Sequence, residues 1–257
     1  MLPRVNLVRT DKLDYLLFST QDHITRTIVE QGAWEQWMTD LAKVLCDGVE
    51  SPLVLDVGAN LGGFLLPMAR HLRRLRGEIY AFEAQRIVYY QLCGNIFLNR
   101  FDHVHAFHNA VGDRDARVMM TVPDYTTSRN VGAASLLPRS ARPGASATRP
   151  PRRLREPVDM VRLDSVALPR PAALIKIDVE GFELKVLKGA VHTIEDAGFP
   201  PLLLEAWTHE SFKDERARLI RYLERLGYYR LSGYWYPLRA IDAQAPRFFD
   251  EPEFHGI

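Results

Sequence analysis

The segment Leu53–Gly62 combines a short apolar strand with a glycine-containing turn, and it constrains the fold more than any other part of the chain. It reads Leu-Val-Leu-Asp-Val-Gly-Ala-Asn-Leu-Gly, and Asp56 is the one charged residue in it. A short apolar strand of this kind is typical of a buried parallel sheet. Gly58 permits a sharp turn, Gly62 permits close approach of the backbone to a ligand, and Asn60 tolerates unusual dihedral angles. The segment therefore predicts a strand–turn–helix unit with a ligand at the turn.

This turn differs from the glycine pattern that binds dinucleotides. That pattern has glycine where Asn60 stands, and it places a pyrophosphate at the start of the following helix. Here Asp56 ends the strand, so a ligand with a positively charged or amino group is favoured over a diphosphate. The next strand, Gly77–Ala84, also ends in an acid, Glu83. Glu83 lies about 20 residues beyond the turn, a spacing at which a carboxylate can bind ribose hydroxyls. The alternative is that Asp56 and Glu83 only cap helices.

Strand and helix patterns alternate along the chain, which is typical of a doubly wound α/β fold. The predicted strands are Leu53–Val57, Gly77–Ala84, His103–Phe107, Ala116–Val122, Val158–Val166, Ala172–Ile177 and Pro201–Leu204, followed by a hairpin of Tyr228–Leu231 and Tyr234–Leu238. Residues 1–50 are predicted to be an N-terminal helical cap, and residues 51–257 the main domain. Residues 138–157 are rich in proline and arginine and are predicted to be an insertion. It is either a solvated, mobile insertion or a lid or binding surface for an anionic substrate.

Composition narrows the class of protein. The 257 residues are 47% hydrophobic, enough for a sizeable core, and the net charge of +1 gives no general attraction to nucleic acid or membranes. Cys46 and Cys93 lie in apolar helical segments and are predicted to be free thiols. The sequence contains neither a signal peptide nor an apolar run long enough to span a membrane. A cytoplasmic protein is expected.

A third motif follows the strand Ala172–Ile177. The segment Lys176–Glu183 reads Lys-Ile-Asp-Val-Glu-Gly-Phe-Glu and crowds Asp178, Glu180 and Glu183 onto one strand-to-helix turn, which should lie at the same sheet edge as Asp56 and Glu83. The helix predicted after this turn contains Leu184, Leu187 and Val191, which recur at helical spacing. Together with Asp56–Gly62 and Tyr80–Ala84, it resembles the FkbM-type S-adenosylmethionine-dependent methyltransferases. The segments Asn109–Asp113, Asn130–Leu136 and Leu187–Ala190 are similar to that family in order and spacing. The resemblance covers residues 50–206; Ala84 stands where many members have proline, and the insertion at 138–157 is not a family feature.

The resemblance implies a fold and a cofactor. The fold is the class I methyltransferase (Rossmann-like) α/β fold, with a doubly wound, mostly parallel, seven-stranded sheet, an N-terminal helical extension and a β/loop insertion. The cofactor is S-adenosyl-L-methionine. The residues implied to bind it are Asp56, Gly58, Ala59, Asn60 and Gly62 at the methionine end, Glu83 and Ala84 at the ribose, Asn109 and Ala110 at the adenine, and Asp178 near the methionine amino group or the reacting centre.

Methylation of a hydroxyl requires a base, because an alcohol is a poor nucleophile. Glu180 is the favoured candidate, since it lies on the turn that should face the pocket, where desolvation raises a carboxyl pKa. Asp178, His209 and His23 are the other candidates. The alternative for Glu180 is that it only binds backbone and shapes the turn. Lys176, two residues before Asp178, shares its face and is a candidate partner for an acid.

The acceptor is predicted to contact residues from several segments. They are Trp34, Glu35, Ser135, Glu205 and Trp207, with Tyr125 and Tyr236 as further aromatic candidates. Aromatic faces suit sugar rings, although a single aromatic residue is more often part of a core. No metal site is assigned. The alternative is Mg²⁺ held by the oxygen donors Asp178, Glu180 and Glu205.

The predicted activity is O-methylation of a hydroxyl on a sugar or a secondary metabolite (natural product). One alternative is N-methylation of a small molecule or peptide, which needs no strong base, and another is a non-catalytic cofactor-binding scaffold. A nucleic-acid methyltransferase is disfavoured by the near-zero net charge and by the missing Asn/Asp-Pro-Pro-aromatic tetrapeptide. The expected partner is thus a small-molecule acceptor, without membrane or nucleic acid.

Overall fold

The computed structural model describes residues 2–19, 22–125, 131, 154–204, 213–231 and 234–237, with the backbone alone after residue 228. In chain order the strands are β1 (Val5–Arg9), β2 (Asp14–Phe18), β3 (Leu53–Val57), β4 (Glu78–Phe82), β5 (Val104–Phe107), β6 (Ala110–Val111), β7 (Ala116–Val122), β8 (Leu154–Val161), β9 (Ala172–Ile177), β10 (Leu202–Leu204), β11 (Tyr228–Leu231) and β12 (Tyr234–Pro237). The helices are α1 (His23–Gln31), α2 (Gln36–Cys46), α3 (Leu65–Leu75), α4 (Arg86–Leu98), α5 (Glu183–Lys188), α6 (Val191–Asp196) and α7 (Lys213–Arg225).

A mostly parallel sheet lies at the centre of the fold. Its strand order is β11-β12-β10-β9-β3-β4-β5, and the last five of these strands run parallel to one another. β12 runs antiparallel to both β10 and β11. The class I methyltransferase arrangement, α/β with a mostly parallel sheet, is thus confirmed in this chain's own topology.

Alternate residues of β3 face two different hydrophobic clusters. Val54 packs with α3 and with Ile79 of β4 on one side, whereas Leu55 and Val57 pack with α5, α6 and α7 on the other. All five residues of β3 are buried. Because side chains alternate along a strand, Asp56 shares the face of Val54, the face that α3 covers.

The N-terminal segment differs from the expected helical cap because it begins with a hairpin. β1 and β2 pair in antiparallel register before α1 and α2 follow. Side-chain amides of α4 bind the β2 backbone: Leu16 N donates to Asn95 Oδ1 over 2.6 Å, and Asp14 N donates to Asn99 Oδ1 over 3.0 Å. Tyr15 and Leu17 join the same hydrophobic cluster as α3. The hairpin thus packs directly on the main fold.

A second, three-stranded sheet has the order β6-β8-β7. β8 begins at Leu154, so the predicted insertion of residues 138–157 extends four residues too far. Pro157 pairs with Met119 of β7, and β6 reaches only Met160 and Val161. At Pro157, the other edge of β8 therefore has no strand partner among the described residues, a setting that proline tolerates.

The single helix predicted through Leu184, Leu187 and Val191 is divided into α5 and α6. The division falls at Gly189, where a side-chain carbon would lie 2.0 Å from the carbonyl oxygen of Gly112. This close backbone approach explains the glycine. No helix in the described ranges is long and apolar enough to cross a membrane.

Candidate functional site

The carboxyl ends of three neighbouring strands meet at one edge of the central sheet, and charged side chains gather there. β3 pairs with β4 on one side and β9 on the other, and Asp56 lies opposite Lys176 in the register of β3 and β9. Glu83 follows β4, and Asp178 follows β9. The structure thus brings together the three acids that the sequence predicted at one edge, the position where open α/β sheets bind ligands.

The ammonium group of Lys176 forms a buried ion pair with Asp56. Nζ lies 3.1 Å from Asp56 Oδ1 and 3.4 Å from Asp178 Oδ2, and it donates a 2.9 Å hydrogen bond to Gly58 O. Asp56 is fully buried and Lys176 nearly so, whereas the Asp178 side chain is 36% exposed. The predicted pairing of Lys176 with an acid is confirmed. This ion pair joins β3, β9 and the glycine turn.

The ion pair between Lys176 and Asp56 is short, but its geometry is not that of a hydrogen bond. Within the described residues, neither oxygen of Asp56 makes a well-aligned hydrogen bond. Burial raises the pKa of Asp56, and Lys176 opposes that rise. For Lys176, burial disfavours the charged form, but Asp56 and Asp178 outweigh it and raise the pKa. The lysine therefore stays charged, and Asp56 keeps unused hydrogen-bonding capacity.

The glycine turn after β3 is built by main-chain contacts. Gly58 N and Ala59 N both donate to Phe82 O of β4, over 2.9 and 3.0 Å. Gly58 has a φ of +83°, and a side-chain carbon there would lie 1.8 Å from the Asp178 carbonyl oxygen. Glycine is therefore required at position 58 because two strand ends approach too closely for any side chain.

Gly62 has a different role from the one expected. A side-chain carbon at Gly62 would meet Leu66 at 3.1 Å and Leu92 at 3.2 Å, in the hydrophobic core. Its φ of +99° also favours glycine. The missing side chain thus makes room for apolar packing. Asn60 has a φ of +52°, and its Oδ1 accepts a 2.8 Å hydrogen bond from Leu61 N, which stabilises this left-handed conformation.

Glu83 holds two backbone segments together with its carboxylate. Oε2 accepts a 2.9 Å hydrogen bond from Asn60 N, and Oε1 accepts a 2.8 Å bond from Gln85 N, immediately before α4. The helix-capping alternative therefore describes part of what Glu83 does. Each oxygen still has a second lone pair for a ligand. Burial raises the pKa of Glu83 to about 7, although the hydrogen bonds from Gln85 and Asn60 oppose the rise.

The turn after β9 is held by a side chain. Glu183 Oε1 accepts hydrogen bonds from Val179 N over 3.2 Å and Gly181 N over 3.0 Å. Burial raises the pKa of Glu183 to about 7, and its backbone hydrogen bonds oppose the rise. Between these two anchored residues, Glu180 adopts a φ of +54°, which is costly for a residue other than glycine. Strain of this kind clusters at functional sites.

The segment before α2, which contains Trp34 and Glu35, lies close to the charged edge, and its contact with an acceptor stays a prediction. A side-chain carbon at Gly63 would lie 3.1 to 3.3 Å from Trp34, so the indole covers the start of α3. His23 packs edge-on against Trp34, with 5.3 Å between ring centres. Glu35 has a φ of +43°. Burial and then Asp178 raise the pKa of Glu35, while Lys176 opposes the rise. Glu35 is therefore a half-buried acid within electrostatic reach of Asp178 and Lys176.

Residues predicted at the adenine lie beyond the end of β5. Asn109 Nδ2 donates a 3.0 Å hydrogen bond to Asp159 O, and Ala110 is buried in β6. His108 Nε2 lies 3.2 Å from the carbonyl oxygen of Ala84. The side chain of Asn109 thus joins the two sheets, and its role toward a nucleobase stays a prediction.

Tyr125 packs in the core instead of opening onto solvent. It is 4% exposed, contacts Phe18 edge-on and donates a 3.2 Å hydrogen bond to Gln85 Oε1. Its position beside Gln85 brings it close to Glu83. The remaining predicted side chains lie outside the described residues: Ser135, Glu205, Trp207, His209 and Tyr236.

A magnesium site gains no support from the part of the chain that the structure describes. Within it, no group of three or more His, Cys, Asp or Glu side chains is arranged to hold a metal ion. Glu205, one of the three ligands considered, lies outside the described residues. The Lys176 ammonium lies between Asp56 and Asp178, so a positive charge is already present among the carboxylates.

The sequence was compared with models of known families. The model described as methyltransferase FkbM domain matches residues 56–229, well over half of the chain. The chain belongs to this family. The match begins at Asp56 and extends into β11, so this FkbM family member has its ion pair, both acid-bearing turns and the strands β4, β5, β9 and β10 inside the matched region. No curated protein matches the chain.

Solved structures similar to this FkbM family member are distant. A methyltransferase FkbM from Methylobacillus flagellatus has a TM-score of 0.45 and 19% sequence identity. The matched region covers 73% of this chain and 44% of the chain from Methylobacillus flagellatus. An S-adenosylmethionine-dependent O-methyltransferase from Thermotoga maritima has a TM-score of 0.44 and 11% identity, over 88% of this chain and 63% of that one. TYW2 from M. jannaschii, in complex with AdoMet, has a TM-score of 0.41 and 14% identity, and the match covers 91% of this chain and 83% of TYW2.

Proposed function

We propose that this FkbM family member is an S-adenosylmethionine-dependent methyltransferase that methylates a hydroxyl group on a small molecule, a sugar or a secondary metabolite. The observation that carries the proposal is the charged edge of the central sheet. Asp56, Glu83 and Asp178 lie at the ends of three adjacent parallel strands around one buried lysine, Lys176. This edge is acidic and suited to a ligand, and Lys176 supplies a positive charge within it.

The charges of this edge fit the proposed cofactor. S-adenosylmethionine has a sulfonium, an ammonium group and two ribose hydroxyls, and all of these favour carboxylate neighbours. Within the described residues Asp56 has no well-aligned hydrogen bond, and Glu83 has free lone pairs beyond its two backbone donors. Three acids against one lysine leave the edge negative. The donor set therefore suits a cationic nucleoside and is unsuited to a diphosphate.

Specific residues are assigned to parts of the cofactor. Asp56 and Asp178 would attract its amino group, and Glu83 would accept hydrogen bonds from its ribose. The glycine turn from Gly58 would bring main-chain atoms close to it, with Lys176 holding the turn through Gly58 O. When bound, S-adenosylmethionine supplies a methyl group that its sulfonium makes electrophilic.

The chain's own acids would prepare the acceptor. Glu180 is the proposed base, because it lies beside Asp178 on a turn whose left-handed conformation is retained despite its cost. A carboxylate there would take the proton from the acceptor hydroxyl as its oxygen attacks. Trp34 and Glu35, in the segment before α2, would orient the acceptor. Holding the acceptor oxygen in line with the bond between sulfur and the methyl group accounts for a large part of the rate enhancement.

The cofactor assignment is tested first by calorimetry with S-adenosylmethionine and S-adenosylhomocysteine. Glu83→Ala is expected to weaken binding by about 1.5–3 kcal/mol, the value for charge-assisted hydrogen bonds. Glu195→Ala, an acid on α6, is the matched control and leaves binding unchanged. The absence of binding of either compound to the folded protein contradicts the proposal.

The choice between O- and N-methylation is tested by screening acceptors with labelled methyl groups. For a hydroxyl acceptor, Glu180→Gln lowers kcat by about 100-fold or more, the usual contribution of a positioned base. Activity that survives Glu180→Gln on an amine supports N-methylation instead. Cofactor binding with no turnover on any acceptor class supports a non-catalytic scaffold.

A further inference from the structure

A basic cleft lies between the N-terminal hairpin, the segment before α2 and the outer face of α3. Its volume is about 300 Å³. The lining residues that matter for binding are Lys12, Tyr15, Lys43, Arg70, His71 and Arg74. Four residues of the whole lining are lysine or arginine, and none is aspartate or glutamate. The proposed methyl transfer uses none of them.

Part of the positive charge in the cleft is not neutralised by neighbouring acids. Lys43 Nζ pairs with Asp40 at 2.8 Å, and His71 Nε2 lies 2.7 Å from Asp47. Lys12 forms no ion pair among the described residues but lies within electrostatic reach of Asp40. Arg70 and Arg74 form no ion pair among them either. Arg70 donates a 2.8 Å hydrogen bond to the carbonyl oxygen of Lys12, which holds these two residues side by side.

Tyr15 provides a second and independent observation. It lines the cleft and is fully buried, yet its hydroxyl has no hydrogen-bond partner among the described residues. Buried hydroxyl groups nearly always have a partner, so an unpaired one requires an explanation. Burial raises the pKa of Tyr15 to about 12, so the group remains a neutral hydrogen-bond donor.

We propose that this cleft binds the phosphate group of a small molecule. Arg70 and Arg74, one turn apart on α3, would offer guanidinium groups suited to phosphate oxygens, and Lys12 would add a third positive charge. The Tyr15 hydroxyl is itself buried, so it would donate its missing hydrogen bond to phosphate after a small movement of the side chains around it. The small volume suits a phosphate monoester or inorganic phosphate, and three convergent cations favour phosphate over a neutral ligand.

The experiment measures binding of inorganic phosphate by calorimetry, without S-adenosylmethionine and at constant ionic strength. The wild type is expected to bind it saturably. Arg74→Gln weakens binding about tenfold or more, because it removes a charge-assisted hydrogen bond. Arg73→Gln is the matched control, since this neighbour on α3 does not line the cleft and lies 3.8 Å from Asp102; phosphate affinity is unchanged.

Tyr15→Phe separates a binding role from a structural one. Because the hydroxyl has no partner, its removal leaves the thermal stability of the phosphate-free protein unchanged or higher. Phosphate affinity nevertheless falls about fivefold, the effect of one neutral hydrogen bond. A Tyr15→Phe protein that binds phosphate as tightly as the wild type overturns the role of the hydroxyl and the proposed site.

Two further outcomes overturn the proposal. One is the absence of saturable phosphate binding, or equal losses in Arg73→Gln and Arg74→Gln, which would indicate only diffuse attraction. The other is tight, salt-sensitive binding of single-stranded RNA that phosphate does not displace, which would make the cleft part of a nucleic-acid surface. Ribose 5-phosphate that competes with inorganic phosphate supports a phosphate monoester as ligand.

Discussion

The two turns that end β3 and β9 lie next to each other, but they are stabilised in different ways. The start of the β3 turn is held by main-chain hydrogen bonds from Gly58 and Ala59 to Phe82 O, and the Glu83 carboxylate adds one hydrogen bond from Asn60 N. The β9 turn is held by the Glu183 carboxylate, which accepts hydrogen bonds from the amides of Val179 and Gly181. Main-chain hydrogen bonds do not depend on pH, whereas a carboxylate changes its charge when it binds a proton.

The two turns also differ in burial. In the β3 turn Ala59 and Leu61 are buried, while Gly58 and Asn60 are partly exposed. In the β9 turn all four residues from Asp178 to Gly181 are partly exposed. The more buried turn is suited to holding a constant ligand, and the more exposed turn, with its strained acid, to contact with a variable one. This difference supports assigning most of the cofactor contacts to the first turn and the acceptor to the second.

The largest expected effect comes from filling the contact between the turns. Gly58→Ala places a carbon 1.8 Å from the Asp178 carbonyl oxygen, on a backbone with φ of +83°. We expect a loss of more than about 4 kcal/mol in the free energy of unfolding, the exceptional range for a single substitution. Gly198→Ala is the control, with a φ of +69° and open space around it. Gly198→Ala is expected to lower the free energy of unfolding by about 1–2 kcal/mol. Equal losses for Gly58→Ala and Gly198→Ala in urea denaturation would show that the close approach at Gly58 is unimportant.

The second effect concerns the ion pair that joins the turns. Lys176→Met leaves Asp56 buried without its partner, and we expect a loss of about 3–5 kcal/mol in the free energy of unfolding. Adding Asp56→Asn removes the stranded charge and restores part of the loss. Lys188→Met, on the exposed surface of α5, is the control and has little effect. A double variant no more stable than Lys176→Met would show that the charge of Asp56 is not the cause.

The third effect is the pH dependence that Glu183 contributes at the second turn. The pKa of Glu183 is raised from its ordinary value of 4.5 to about 7, so the folded protein binds this proton more tightly than the unfolded chain. Stability from this group is therefore complete below pH 4.5 and is lost as the pH rises to about 7. Glu183→Gln removes a slope of up to roughly 1.4 kcal/mol per pH unit in that range.

The measurement is urea denaturation at intervals between pH 4.5 and 7.5. Glu195→Gln, an exposed acid on α6, is the control and leaves the slope as in the wild type. Glu83, with a pKa also raised to about 7, contributes a second, similar slope that remains in Glu183→Gln. An unchanged slope in Glu183→Gln would contradict the assignment of this proton to the second turn.

The smallest effect sharpens the comparison at matched positions. Asn60 and Glu180 both have left-handed backbones, with φ of +52° and +54°. Glu180→Gly relieves the cost of that conformation and raises the free energy of unfolding by about 1 kcal/mol. Asn60→Gly relieves the same backbone cost but loses the hydrogen bond that Asn60 Oδ1 accepts from Leu61 N, so its gain stays below about 1 kcal/mol. Thermal denaturation measures both variants; a gain at Asn60 above this value would contradict this account.

Sequence patterns predicted the elements with strong periodicity and missed those that depend on distant contacts. The apolar run Ala172–Ile177 is strand β9 with the same bounds. The hairpin strand β1, Val5–Arg9, was missed because it is short and largely exposed, so its apolar alternation covers only Val5 and Leu7. The division between α5 and α6 was missed because the contacts of Gly189, with the carbonyl oxygen of Gly112 and with Asp164 N, are made by residues far away in the sequence.

The candidate site was predicted in the same uneven way. Asp56, Glu83 and Asp178 were found because acids at the ends of successive parallel strands meet at one edge. The hydrogen bonds from Val179 and Gly181 to Glu183 were not, since they depend on the shape of the turn. The basic cleft was also missed, because Lys12 and Arg74 lie far apart in sequence and converge only through packing of the hairpin on the main fold.

By itself, the sequence determined the α/β class, the family and the acidic edge, because these depend on local periodicity and on residues close in the chain. The tertiary structure decided which charges are paired. It placed Lys176 between Asp56 and Asp178, and it brought Glu35 within reach of them. The physical reason is that burial and electrostatic interaction act through space. Their strength depends on which strands become neighbours, and that order is set by the packing of the whole sheet.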